Sequence, residues 1–263
     1  MSATALEARD ISVSLGGRRV LGNVSFAIEK GEFLSIIGPN GAGKTTLIRA
    51  LNGIVATEAG EVCVMGRALS SYRQRDLAKI VSYVPQADGR HFPFSVFEFV
   101  MLGRYPYMSP FSPASVEDRS AAEAALERTG ARHLAGRSIG TLSGGERRQV
   151  YIAAALAQGA SILLLDEPTA FLDYRHRVEV AALLERLNRD EGATIVSVTH
   201  DIDEQVLTCS RVVAIKDGAV AFNAAPDGLL VHGVLEGIYD TPFRHVHDPG
   251  SSVPVVLPSS ARV

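Results

Sequence analysis

Gly38-Pro39-Asn40-Gly41-Ala42-Gly43-Lys44-Thr45 spells G-x-x-x-x-G-K-[ST], and the residues on either side supply the context this pattern needs. The apolar run Phe33–Ile37 leads in and reads as a buried strand. A helical stretch from Thr46 to Leu51 leads out. A strand–loop–helix of this kind is a phosphate-binding P-loop. Its glycines let the backbone wrap around an anion, and its N–H groups converge at a helix start. Lys44 is then expected to reach the β- and γ-phosphates of a nucleotide, and the Thr45 hydroxyl to ligate Mg²⁺.

A second strand ends in two carboxylates, Ile162-Leu163-Leu164-Leu165-Asp166-Glu167. In open α/β sheets, ligands sit beyond the carboxyl ends of the strands. Asp166 is expected to hold Mg²⁺ through its water shell and Glu167 to polarise an attacking water. Taken alone, such a pair is a solvated strand cap; after a P-loop it reads as chemistry. The run Thr194–Thr199 ends in His200, which the same geometry carries to the same sheet edge. Its imidazole suits a bond to the γ-phosphate or to the water.

Leu142-Ser143-Gly144-Gly145-Glu146 precedes an Ala-rich helix from Arg147 to Ala157. Ser143 and Glu146 form an S-x-x-E capping box. A Ser hydroxyl and two Gly amides at a helix start also suit a second anion site. The capping box does not need both glycines, whereas close backbone approach to a ligand does.

Composition sets the bounds. The 263 residues carry 46% hydrophobic and 21% charged side chains, ordinary globular usage. A net charge of −3 without a long basic run gives no nucleic-acid footprint. Cys63 and Cys209 make no disulfide framework and suit a reducing cytoplasm as small buried hydrophobes. No apolar stretch approaches the ~20 residues of a membrane helix, and no signal peptide is expected. Any membrane role is therefore expected to come from docking on a partner.

Short strand-like runs alternate with helical ones, which predicts an α/β protein with a mainly parallel sheet. Strands are expected at Phe33–Ile37, Ile162–Leu165, Thr194–Val198 and Val212–Ile215. The strands before Gly31 and around Glu61–Met65 look like an antiparallel flank. Between Asp88 and Gly140 prolines punctuate the chain, and Ala121–Arg128 is helical by composition, which suggests a helical insertion. From Ala224 onward the chain mixes Pro, Gly and His and is expected to end in a weakly structured tail. His245 and His247 in that tail lack further ligands and are assigned no metal.

Together the P-loop, LSGGE and Asp166-Glu167 resemble the nucleotide-binding subunit of an ABC transporter, and the resemblance covers the whole chain. It implies a P-loop NTPase core with a mainly parallel sheet, an antiparallel β flank and a helical insertion, as one domain over 1–263. The helical subdomain falls at approximately 88–157 and the tail at approximately 224–263. The resemblance adds roles residue by residue. Pro39, Asn40, Ala42 and Thr46 join the glycines, Lys44 and Thr45 as ATP-binding positions, with Ser143, Gly144, Gly145 and Glu146 as the signature. Gln86 in Tyr83-Val84-Pro85-Gln86 is the Q-loop glutamine and a metal ligand, Asp173 in Phe171-Leu172-Asp173 belongs to the D-loop, and His200 is the switch histidine. Such subunits form head-to-tail homodimers that sandwich ATP and Mg²⁺ between one P-loop and the other chain's signature.

One departure stands out. The family usually places an aromatic residue upstream of the P-loop to stack on adenine. This chain has Ser14-Leu15-Gly16-Gly17-Arg18-Arg19-Val20 there, with Leu15 or Val20 as candidate apolar faces and Arg18 as a candidate guanidinium plane, so weaker base stacking is expected.

The segment His91–Phe111 holds Phe92, Phe94, Phe97, Phe99 and Phe111 with Tyr105 and Tyr107. Ser95 and Glu98 cap a helix expected to run to about Leu102. Several of these rings are expected to fill the small helical core. Arg104, Tyr105, Tyr107 and Met108 have interface composition and are expected to dock a permease. Asp76–Gln86, Gly103–Pro106 and Thr169–Asp173 further resemble ATPases of iron–siderophore, haem and cobalamin importers. The expectation is an ATPase subunit on the cytoplasmic face of the inner membrane, powering a separate permease served by a substrate-binding protein. Import of an oxyanion or free metal ion, an exporter half, a soluble ABC ATPase acting on ribosomes or DNA, and a P-loop kinase are the alternatives. One P-loop and no sustained heptads disfavour the soluble ATPase, and LSGGE disfavours the kinase.

Overall fold

The computed structural model describes residues 3–86, 93–109, 113–200, 209–246 and 255–259. Phe92, Phe111 and His247, singled out above, lie outside the described residues, as does the side chain of His245.

The chain opens with a long antiparallel hairpin, β1 (Thr4–Leu15) and β2 (Arg18–Glu29), joined through Gly16-Gly17. With β4 (Ala59–Val64) and the short β5 (Arg67–Ala68) it forms a sheet in the order β2-β1-β4-β5. The central sheet has six strands in the order β10-β9-β3-β8-β7-β6. Here β3 is Phe33–Ile37, β6 Val81–Val84, β7 Ile162–Asp166, β8 Thr194–Val198, β9 Arg211–Lys216 and β10 Ala219–Ala224. The five strands from β9 to β6 are parallel, and β10 pairs with β9 antiparallel. The expected parallel sheet and antiparallel flank are both present.

The apolar runs reflect burial on both faces of this sheet. In β3, Leu34 and Ile36 enter a core shared with the antiparallel sheet and helix α1 (Lys44–Leu51). Phe33 and Ile37 point the other way, toward α6 (Tyr174–Arg189). This alternation is the two-residue period of a strand. Every residue of β3, β7 and β8 is buried. A short helix, α2 (Gln74–Leu77), precedes β6.

A third core lies apart from the sheet. It joins α3 (Val96–Leu102), α4 (Val116–Arg128) and one face of α5 (Gly144–Ala157). Capping boxes start all three, with Ser95 on Glu98, Ser115 on Asp118 and Ser143 on Glu146. Each cap satisfies N–H groups that a helix start leaves open, contributing ~1 kcal/mol. Phe97 and Phe99 pack against this core, and Phe99 stacks on Tyr151 at 5.1 Å. The other face of α5 places Ile152 and Ala155 against the central sheet, so this one helix bridges the two bodies.

Within the expected tail region of approximately 224–263, the described residues carry defined elements. A 3₁₀ turn at Pro226–Leu230, helix α7 (Val234–Tyr239) and a hairpin of β11 (Phe243–Val246) with β12 (Val255–Pro258) follow β10. Leu229, Leu235 and Ile238 are buried in the α6-side core. Sparse polar punctuation hid three apolar anchors spaced for a helix and its approach.

Candidate active site

The P-loop leaves the carboxyl end of β3 and turns into α1, as its sequence demands. The Lys44 ammonium is buried and donates to the carbonyls of Gly38 at 2.7 Å and Pro39 at 3.0 Å. Burial draws its pKa below the usual lysine value, while Glu167 and Asp166 pull it back up. The lysine thus sits folded over the loop it serves, beside two carboxylates. At Gly43, where φ is +103°, a Cβ would meet Leu21 Cδ2 at 2.7 Å and the Val20 carbonyl at 3.1 Å. Val20 therefore lies directly against the P-loop, whereas Arg18 and Leu15 are exposed at the hairpin tip.

Thr45 and Asp166 meet across 121 residues of sequence, the Thr45 hydroxyl donating to Asp166 Oδ1 at 3.1 Å. The Tyr83 hydroxyl donates to Oδ2, also at 3.1 Å. Asp166 is fully buried, and burial raises its pKa against the pull of these two bonds. A hydroxyl and a carboxylate converging at the carboxyl ends of the strands are hard oxygen donors, the donor chemistry Mg²⁺ takes. Tyr83 was missed as a site residue by sequence reasoning. Its signal was its place on β6, which pairs with β7 and sets Tyr83 beside Leu164.

Glu167 follows Asp166 with φ +48°, outside the ordinary range for a side chain of its type. Its N–H is fixed by the Val198 carbonyl at 3.0 Å. Its Oε2 accepts from Gln86 Nε2 at 2.7 Å, and its Oε1 lies 3.4 Å from His200 Nδ1. Two residues expected from separate stretches of sequence, Gln86 and His200, thus converge on the Glu167 carboxylate. A further residue, Arg148, holds the frame behind it. Its guanidinium is buried and donates to the carbonyls of Pro85 at 3.0 Å and Glu167 at 3.1 Å. Arg148 sits one turn inside α5, so it ties the signature helix to both the Gln86 segment and Glu167. No sequence pattern marks it, because a charged residue in that turn reads as surface.

Ser143 and Gly144 are exposed at the start of α5. The Glu146 carboxylate accepts from the Ser143 N–H at 2.8 Å, and this bond holds its pKa down. Gly145 has an intrachain reason for lacking a side chain, since a Cβ there would collide with the His176 ring. The two-glycine argument for an anion site therefore rests on Gly144 alone. Asp173 caps α6, its Oδ1 accepting from the His176 N–H at 2.9 Å and lying 2.8 Å from Nδ1. That cap lowers the Asp173 pKa. The aromatic residues flanking Asp173 face outward, Phe171 at 83% and Tyr174 at 78% exposure. The P-loop helix packs on β1, β2, β7 and β8, whereas the signature helix packs on α3, α4, α6 and β6. Both helices thus lean on the central sheet at different strands, and α5 also carries the helical core.

Arg104, expected to dock a partner, is committed inward. It pairs with Asp118 at 3.1 Å, donates to the Ala157 carbonyl at 2.6 Å and lies over the Tyr107 ring at 3.9 Å. It is a tie between α3, α4 and α5, and so is not available as a docking group. Tyr107 is held between Arg104 and Lys79, while Tyr105 is 77% exposed. Beside Tyr83 and Gln86 a groove of about 280 Å³ opens between β6, α3 and α5, with Phe99, Leu102 and Tyr151 on its walls.

The sequence matches the ABC transporter family over residues 21–170. It is 37% identical to the uncharacterised ABC transporter ATP-binding protein YvrA of Bacillus subtilis (strain 168), over 96% of this chain and 57% of that protein. It is 36% identical to the iron(3+)-hydroxamate import ATP-binding protein FhuC of the same organism, over 96% of this chain and 94% of that one. The fold superposes on a structure described as a metal-chelate type ABC transporter in an inward-facing conformation. There the TM-score is 0.85 and the identity 26%, covering 98% of both chains. The chain belongs to the ABC transporter family and carries its ATP-binding cassette.

Proposed function

We propose that this cassette hydrolyses ATP with Mg²⁺ to drive uptake of a metal chelate (iron–siderophore, haem or cobalamin) through a separate membrane permease. The observation that carries the catalytic reading is the convergence of Gln86 and His200 on Glu167, next to Asp166, Thr45 and Lys44.

In this reading Gly38–Thr46 wrap the phosphates, and Lys44 moves its ammonium from the loop carbonyls to the β/γ-phosphates. Thr45, Asp166 and the Gln86 amide oxygen would hold Mg²⁺, which supplies charge neutralisation of the phosphates. Glu167 accepts the proton of the attacking water, and His200 orients the water or the γ-phosphate. Val20 offers adenine an apolar contact in place of a stacking ring.

Because Ser143 and Gly144 are exposed at the start of α5, one chain's signature suits a second chain's P-loop. Exposed Ser143 and Gly144, with Phe171 and Tyr174 around Asp173, form the face offered to that second copy. Groups of this kind gather at the core of protein interfaces. The groove beside Gln86, together with exposed Leu102 and Tyr105, suits an apolar segment of the permease. A docked segment there would touch the strand that leads to Gln86. No helix among the described residues is long and apolar enough to cross a membrane, so the proposal places the chain at the cytoplasmic membrane face, held by the permease. A substrate-binding protein would deliver the cargo on the far side, and no nucleic acid is involved.

The cargo class rests on the sequence resemblances and on the names of the proteins this chain is similar to. Uptake of labelled ferric siderophore, haem and cobalamin in cells with and without this gene tests it. Loss of one of the three is expected. Normal uptake of all three with a defect in an oxyanion or free metal ion would overturn the cargo class and leave the ATPase standing.

A further inference from the structure

The first residue of the P-loop is held from outside the site by the C-terminal segment. Pairing of β3 with β9 ends at Ile37 opposite Ala214, so the Gly38 N–H is the first donor beyond that ladder. Its acceptor is the hydroxyl oxygen of Tyr239, 3.2 Å away and 201 residues distant in sequence. On the other side of the same residue, the Gly38 carbonyl accepts from Lys44 Nζ at 2.7 Å. Gly38 is thus gripped twice, once by the residue expected to meet the nucleotide and once by a residue that no motif includes.

Tyr239 is itself well placed. It ends α7, whose Leu235 and Ile238 are buried in the core beside β9. Lys216, at the end of β9, donates to the Gly237 carbonyl at 2.7 Å and pairs with Asp240 at 2.6 Å. The Tyr239 ring packs edge-on against Phe243 with centroids 6.1 Å apart. Apolar anchors, a cationic clamp and a ring contact therefore deliver one hydroxyl to one loop amide.

We infer that Tyr239 is a positioning residue of the nucleotide site, setting the start of the P-loop through the Gly38 amide. The inference rests on reading Gly38–Thr45 as the phosphate loop. When a nucleotide draws the Lys44 ammonium away from the Gly38 carbonyl, the Tyr239 hydroxyl is the grip that stays. Removing it leaves the Gly38 N–H without its acceptor and lets the loop start rotate. The cost falls on binding, because the loop must then be ordered by the phosphates themselves. The groups that meet the reacting phosphoryl are unchanged, so turnover at saturation is not affected.

Tyr239→Phe keeps the ring and removes only the oxygen. Its ATP and ADP affinities, measured by calorimetry on the full chain, are expected to weaken roughly three- to tenfold, the range for loss of one neutral hydrogen bond. KM for ATP should rise by the same factor with kcat within about twofold and Tm within a few degrees. Phe243→Leu keeps the hydroxyl and loosens one of the contacts that hold its ring, and is expected to lower Tm and to weaken nucleotide affinity less than Tyr239→Phe does. Lys44→Ala tests the loop itself. Weakened binding in Lys44→Ala with wild-type affinity in Tyr239→Phe would overturn the inference while leaving the site reading intact. Equal losses of affinity in Tyr239→Phe and Phe243→Leu would also overturn it, since the ring and not the hydroxyl would then matter. Wild-type nucleotide binding and turnover in Lys44→Ala would remove the loop reading and the inference with it.

Discussion

Gln86 Nε2 donates a 2.7 Å hydrogen bond to Glu167 Oε2. The bond links the end of the segment after β6 to the residue after β7, two strands adjacent in the sheet. In the proposed mechanism, Glu167 accepts a proton from water, so the Gln86 amide occupies an oxygen of the proposed base. In the proposed mechanism, a permease segment docked in the groove beside Gln86 would reach that bond, and ATP hydrolysis would depend on the contact.

Glu167→Gln is expected to retain ATP binding and to lose at least about 100-fold in hydrolysis, the usual cost of removing a general base. An amide cannot take the proton, though it still fills the space against Gln86 and His200. Size-exclusion chromatography with ATP, run with the permease present, should show an accumulated dimeric form. Normal turnover with no dimer would sink the role given to Glu167.

Asp166 carries its charge in a buried site, so its pKa is raised by burial. A folded-state carboxyl with a raised pKa binds protons more tightly than the unfolded chain does. Stability therefore falls as pH climbs from the ordinary aspartate range through the folded value, and the penalty is fully present above it. Asp166→Asn is expected to raise the Tm of the nucleotide-free subunit at neutral pH and to abolish hydrolysis. The Tm advantage should vanish toward pH 3–4, near the ordinary aspartate pKa of about 3.9. An advantage that does not change with pH would contradict the assignment of its origin to the buried charge.

Arg148→Met preserves length and apolar burial while removing two charge-assisted bonds, to Pro85 and to Glu167. Loss of stability is expected to be about 2 kcal/mol, since both carbonyls lose a charged donor. Because Glu167 stands at φ +48°, loosening its carbonyl should also lower kcat more than it raises KM. Chemical denaturation and steady-state kinetics on the same sample separate the two effects, and an unchanged kcat would leave Arg148 a purely structural tie.

Arg104→Glu and Tyr105→Ala should part company. Arg104 and Asp118 are nearly buried, with side chains 12% and 9% exposed. Breaking such a pair costs about 3–5 kcal/mol, and the introduced carboxylate would also repel Asp118. Thermal melting should therefore reveal Arg104→Glu as a folding defect of the helical body. Tyr105→Ala should melt like wild type and lose permease-stimulated hydrolysis or transport. Normal coupling in Tyr105→Ala would move the proposed docking site away from that ring.

Much of this molecule is legible in one dimension. The P-loop, the Asp166-Glu167 strand end and the capping boxes at Ser95 and Ser143 are local patterns, and each was found where its spacing placed it. Doubly buried strands announce themselves as unbroken apolar runs, which is why β3, β7 and β8 were found within one residue of their ends. The parallel order followed from alternation of strands and helices, because a parallel pair needs a crossover.

Tertiary structure alone decided which polar groups meet. Tyr83 on Asp166, Arg148 on Pro85 and Glu167, and Tyr239 on Gly38 are pairings across 19 to 201 residues. A side chain's partner in such a pair is set by strand order and helix packing, which no local spacing encodes. The same applies in reverse to Arg104 and Gly145. Composition made one look like a docking group and the other like an open cradle, but packing turned Arg104 inward onto Asp118 and pressed the His176 ring against Gly145. The sequence by itself determined the elements and the kind of chemistry at the sheet edge, because those depend on periodicity and on residue type. The structure determined what holds that chemistry in place, because burial is a property of the assembled layers and not of any single stretch.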